Sequence, residues 1–142
     1  MPAPTIREET ENAGETGRIG TRLAEGLVPG DVVIVSGELG AGKTTLVRGA
    51  CRALGVEGPV TSPTFEIGHL YAGRVEVAHL DLYRLPSLSG EDPALMDDYL
   101  TPERIAFVEW PGQAGGLIEN VVARVSIEHL GGDRRRVEVV PA

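Results

Sequence analysis

The chain has a single cysteine, so no internal disulfide can form, and a reducing compartment, the cytoplasm, is expected. No apolar run approaches the roughly 20 residues that a membrane span needs, which argues against a membrane protein. The first residues, Met1-Pro-Ala-Pro-Thr5, lack a basic stretch followed by an apolar one, so no secretory signal is expected. Positive charge is scarce: 13 basic residues stand against 21 acidic ones, for a net charge of −8. Broad, direct binding of nucleic acid needs a basic face and is disfavoured. Lysine is scarcer still, because Lys43 is the only one in the chain. The remainder is ordinary for a soluble protein. With 142 residues, 42% of them hydrophobic and 24% charged, one domain over 1–142 with a real core is expected, its first nine residues forming a loose tail.

The one lysine sits in the most informative stretch. Val32-Val-Ile-Val35 reads as a buried strand. Gly37-x-x-x-x-Gly42-Lys43-Thr44 follows, a complete phosphate-binding-loop pattern. Leu46, Val47, Ala50, Cys51 and Leu54 then recur at helical spacing, and Gly55 is a natural stop. The chemistry accounts for the residue types. Gly37, Gly40 and Gly42 let the backbone approach an anion, and successive N–H groups form a nest for phosphate. The helix N-terminus adds about half a positive charge. Lys43 brings a compact, mobile ammonium, better suited to phosphate here than a planar guanidinium. Thr44 offers a hydroxyl to magnesium. Cys51, on the apolar face of this helix, reads as a small core residue and not a nucleophile.

Ahead of the loop, Ile19, Leu23, Leu27 and Val28 form a helical stripe from Thr16, capped by Thr10 or Thr16 and ended by Pro29-Gly30-Asp31. After it, Thr61-Ser-Pro-Thr-Phe65 is a loop. It is either a plain turn or a switch whose Ser62 and Thr64 meet a γ-phosphate or its magnesium. Glu66–Tyr71 and Arg74–Leu80 make a hairpin around Ala72-Gly73. The second run ends in His79-Leu-Asp-Leu-Tyr-Arg84, where Asp81 is a candidate magnesium or water ligand or a capping residue, and His79 a packed histidine or a polar contact to the switch. Residues 94–100 suggest a short acidic helix broken by Pro102. Ile105-Ala-Phe-Val108 then delivers Glu109 to the carboxyl end of a parallel strand, where ligands of open α/β sheets sit. Trp110 packs at the strand end or contacts nucleotide. Two alternating runs from Val121 and from Arg136, about a Gly131-Gly-Asp133 turn, form a last hairpin, with Arg134-Arg-Arg136 beside the turn as solvated surface or as a reach toward nucleotide. The fold class is therefore α/β, a P-loop NTPase-like three-layer sandwich with a mixed, mainly parallel central sheet and antiparallel edge hairpins.

Three classes of P-loop protein compete. A guanine-specific GTPase needs an Asn-Lys-x-Asp element, and the only lysine is already used. A small-metabolite kinase needs an acceptor pocket and an arginine-bearing lid. A regulatory ATPase needs only a nucleotide site and a segment that moves, which fits the length best.

Gly37-Glu-Leu-Gly-Ala-Gly-Lys-Thr-Thr45, Thr61-Ser-Pro-Thr-Phe65, His79-Leu-Asp-Leu-Tyr-Arg84 and Val108-Glu-Trp-Pro111, in this order and spacing, resemble the bacterial TsaE (YjeE) family, the ATPase of tRNA threonylcarbamoyladenosine biosynthesis. The resemblance implies a protein that binds ATP with Mg2+, hydrolyses it slowly alone and works with TsaD and TsaB. That pair modifies the adenosine next to the anticodon in tRNAs reading codons that start with A, so tRNA is met indirectly through the complex. It implies a phosphate cradle of Gly40, Ala41, Gly42, Lys43, Thr44 and Thr45, magnesium at Thr44 and Glu109, and catalytic roles for Lys43, Asp81 and Glu109. It further implies nucleotide contacts from Ser62, Thr64, Trp110 and an arginine of the last hairpin, with Arg134 chosen and Arg135 nearly as good.

Overall fold

The computed structural model describes residues 4–38, 41–60, 68–82, 98–109 and 118–142. In chain order these form β1 (Ile6–Thr10), α1 (Ala13–Ala24), β2 (Val32–Gly37), α2 (Lys43–Ala53), β3 (Gly68–Tyr71), β4 (Glu76–Asp81), β5 (Arg104–Glu109), β6 (Val121–Gly131) and β7 (Arg134–Pro141). All strands belong to one sheet, in the order β1-β7-β6-β2-β5-β4-β3. β2 pairs in parallel with β5 and β6, and β5 in parallel with β4. The flanking pairs β1–β7, β6–β7 and β3–β4 are antiparallel. The expected mixed sheet, parallel beside the P-loop and antiparallel at both edges, is therefore present.

The two faces follow from strand alternation. Val33 and Val35 of β2, Val77 of β4, Ile105 and Phe107 of β5 and Val137 and Val139 of β7 point to one side, where they pack with Ile19 and Leu23 of α1 and Leu46, Val47 and Ala50 of α2. Val32, Ile34, Ala78, Leu80, Ala106 and Val108 point to the other, against Tyr99, Leu100 and Ile118. Being buried on both faces explains why β2 and β5 read as continuous apolar runs. The expected acidic helix falls mostly outside the described residues; Asp98 and Tyr99 form a turn. Among the described residues no helix is long and apolar enough to cross a membrane. Cys51 is fully buried, and burial pushes its thiol up to about 12, as befits a core residue.

Three expectations are corrected. The tail does not stay loose through residue 9, because Ile6–Thr10 form β1 on β7, with Ile6 buried against the core. Neither Thr10 nor Thr16 caps α1. Asn12 does, its side chain accepting from the Glu15 N–H at 2.9 Å, while the Glu15 carboxylate accepts from the Glu11 N–H at 3.0 Å. The two threonines instead share a buried hydroxyl hydrogen bond of 2.7 Å. Val28 is 58% exposed and off the stripe, since α1 ends at Ala24. Asn12→Ala removes the capping acceptor and is expected to cost about 1 kcal/mol, measured by urea denaturation, with nucleotide binding unchanged.

Candidate nucleotide site

The P-loop joins β2 to α2 at the carboxyl edge of the parallel strands. Gly42 is the N-cap of α2 at φ 105°, a left-handed conformation that a side chain would strain, and no side chain caps the helix there. The first turn of α2 carries the positive end of the helix dipole, where an anion is favoured. A Cβ at Gly37 would lie 2.6 Å from the Ile127 carbonyl oxygen, so β6 requires glycine at the strand end.

Lys43, the first residue of α2, is buried, and its ammonium donates to the carbonyls of Gly37 at 2.7 Å and Glu38 at 3.1 Å. Burial lowers its pKa from the ordinary lysine value. The carboxylates of Glu109 and Asp81 act in the opposite direction. Those acids end β5 and β4, and the parallel register sets them side by side as Cα partners. Both are largely buried and, by alternation from Val77 and Phe107, face the helices. The structure thus brings Lys43, Asp81 and Glu109 to one place from three separate elements. Thr44 and Thr45, half-buried, follow Lys43 in the first turn of α2.

The cradle fits a phosphate chain with a hard cation. Ala41 is buried in the loop, Gly42 provides the backbone turn and Lys43 the charge. Thr44 and Glu109 supply oxygen donors suited to magnesium. Among the described residues no group of three His, Cys, Asp or Glu side chains would hold a metal unaided. Mg2+ keeps waters and takes phosphate oxygens as ligands, so a site for it needs few protein donors. Gly40, Ser62, Thr64 and Trp110 lie outside the described residues.

The two hairpin arginines considered for the nucleotide lie in different surroundings. Arg134 is half exposed and faces Glu9 at 3.8 Å and Glu11 at 3.7 Å. Arg135 is the one that reaches the P-loop, donating from Nε to the Ala41 carbonyl at 2.8 Å and from a terminal nitrogen to Gly132 and Arg134 carbonyls. Its Nε would be 3.6 Å from a Cβ at Gly42. Parity explains this, because Arg135 shares its face of β7 with buried Val137 and Val139, whereas Arg134 and Arg136 share the other. A second feature not expected from the sequence is the hydrogen bond between His79 Nε2 and Glu109 Oε2, 2.5 Å long and buried.

A mixed α/β sheet whose central strand runs through a glycine-rich loop into a helix, with acids at the ends of the neighbouring strands, defines the P-loop NTPase type of fold. The family model described as Threonylcarbamoyl adenosine biosynthesis protein TsaE matches residues 10–137, and the chain belongs to the TsaE family. Relatives named tRNA threonylcarbamoyladenosine biosynthesis protein TsaE include one from Treponema pallidum, 31% identical over 134 residues, which cover 94% of this chain and 99% of the relative. Those of Bacillus subtilis (35% over 133 residues; 93% and 83%) and Mycobacterium tuberculosis H37Rv (38% over 125 residues; 82% and 70%) are also similar. The crystal structure of Bacillus subtilis YdiB aligns with a TM-score of 0.73 at 28% identity, covering 100% of this chain and 89% of that one.

Proposed function

We propose that this chain is a magnesium-dependent ATPase of tRNA threonylcarbamoyladenosine synthesis, slow alone and activated when TsaD and TsaB dock, in the cytoplasm. The observation that supports this best is the convergence of Lys43, Asp81 and Glu109 on the N-terminus of α2. Transfer of a phosphoryl group to water needs positioning and charge neutralisation more than a covalent nucleophile. The loop N–H groups and Lys43 hold the β- and γ-phosphates, and Thr44 and Glu109 hold the cation. Bound Mg2+ supplies neutralisation of the charge that develops on the phosphate oxygens. Asp81, beside Glu109, orients the attacking water. Arg135, whose hydrogen bond to the Ala41 carbonyl supports this choice over Arg134, meets the nucleotide. Slow turnover alone is supported by the hydrogen bonds of Lys43 to the Gly37 and Glu38 carbonyls and of Arg135 to the Ala41 carbonyl, which both side chains would exchange for phosphate. The acidic net charge of −8 leaves tRNA to be held by the partners.

The test is phosphate release from ATP and Mg2+, with and without purified TsaD and TsaB. Strong stimulation is expected, together with a fall of about 100-fold in the stimulated rate for Glu109→Ala. Absence of stimulation by the pair, or phosphate appearing on a small metabolite, would replace this function by a kinase.

A further inference from the structure

His79 lies two residues before Asp81 on β4, so the two side chains share a face. The register of β4 on β5 pairs Asp81 with Glu109 and His79 with Phe107. Glu109 is therefore the diagonal neighbour of His79, a spacing that long side chains bridge. The bridge is the 2.5 Å contact from Nε2 to Oε2, with both side chains buried. A carboxylate only accepts, so the imidazole donates from Nε2. Nδ1 is buried and has no hydrogen-bond partner among the described residues. The Tyr71 ring, with its centroid 6.3 Å away and tilted by 40°, flanks the imidazole. An apolar side chain would fill this interior position without the cost of burying a polar ring. Among the described residues, the side-chain hydrogen bond of His79 goes to the acid of the candidate site.

We propose that His79 is a positioning residue: it holds one carboxylate oxygen of Glu109 so that the other is presented to the cation, raising the affinity for metal-bound nucleotide. This rests on the reading of Glu109 as a magnesium ligand. The effect belongs to binding and is separable from turnover.

The test compares binding of a fluorescent ATP analogue in Mg2+ and in EDTA by the full-length chain. The quantity read is the gain in affinity due to the metal. The terminal nitrogen of glutamine lies as many bonds from the backbone as Nε2 of histidine; that of asparagine falls short. His79→Asn and Glu109→Gln are expected to reduce the metal-dependent gain about tenfold, in His79→Asn with affinity in EDTA unchanged, while His79→Gln retains the gain. If His79→Asn does not fold, His79→Leu, apolar like its strand neighbours, takes its place in the comparison. A full gain in His79→Asn, or equal losses in the Asn and Gln variants, overturns the positioning role. A full gain in Glu109→Gln overturns the ligand reading and the role of His79 with it, whereas a loss in Glu109→Gln beside a full gain in His79→Asn removes the latter alone.

Discussion

Replacing Lys43 by methionine is expected to lower partner-stimulated ATP hydrolysis about 1,000-fold in kcat/KM, or about 4 kcal/mol of transition-state stabilisation, while the protein stays folded. Methionine keeps much of the stem that packs in the loop and removes the charge. No other lysine exists in the chain to substitute for it. Folding and function separate at this residue, for an electrostatic reason. Burial depresses the Lys43 pKa, so in the folded state the ammonium binds its proton less tightly than in the unfolded chain, and Glu109 and Asp81 recover only part of the difference. The sign is that of a depressed base: the charged form costs stability below the folded pKa, and the cost is relieved as pH rises toward 10.5. That cost belongs to the charged lysine of the wild type and is absent in Lys43→Met. Against this stand the hydrogen bonds to Gly37 and Glu38, each contributing about 1 kcal/mol. The two effects oppose each other, so Tm should stay within a few degrees of wild type. A calorimetric scan beside the kinetic assay decides the matter. Unchanged kcat/KM would remove Lys43 from the chemistry, and a large fall in Tm would make the lost activity a consequence of unfolding.

What was legible in the sequence was local. The strand, loop and helix from Val32 to Ala53 are contiguous, and their signals, a run of Val and Ile, three glycines and a 3.6-residue stripe, act within a few residues of one another. The two hairpins were legible for the same reason. What escaped was set by pairings distant in the chain. Ile6-Arg-Glu-Glu-Thr10 is too polar to read as a strand; it becomes one because β7 offers it an edge more than 120 residues later. The Asn12 cap carried a usable signal, an Asn three residues before Glu15, and two nearby threonines competed with it. Arg135 was also legible in principle, since alternation from Val137 and Val139 fixes its face. The bond from His79 to Glu109 was not, because it depends on the register of β4 against β5, and neither strand encodes that register alone.

The helix pair that carries the P-loop contributes the other large effect, expected at Gly49. α1 and α2 cross so closely that a Cβ at Gly49 would lie 2.0 Å from the Gly17 carbonyl oxygen and 2.8 Å from its Cα. One at Gly20 would lie 2.0 Å from the Leu46 carbonyl oxygen. These neighbours are backbone and cannot rotate away. Gly49→Ala and Gly20→Ala must therefore push the helices apart, opening the packing around Ile19, Leu23, Leu46 and Val47 and weakening the Thr21 hydroxyl's bond to the Gly49 carbonyl. Alanine favours an isolated helix over glycine by about 1 kcal/mol, but overpacking against backbone outweighs it. A net loss of about 3 kcal/mol is expected, lowering Tm by about 10 °C. Gly17, on the same crossing, is the control. A Cβ there would meet Thr45 O at 3.8 Å and Gly49 Cα at 4.0 Å, ordinary contacts. Gly17→Ala is therefore expected to be neutral or stabilising, by up to about 1 kcal/mol. One separation of the helices accommodates both new methyls, so the double variant Gly20→Ala/Gly49→Ala should lose less than the sum of the singles. Because α2 begins at Lys43, that separation also moves the phosphate cradle, and nucleotide affinity should fall in the Gly49 and Gly20 variants below their melting temperatures. Equal stabilities of the Gly17 and Gly49 variants would mean that the helices do not cross at these residues.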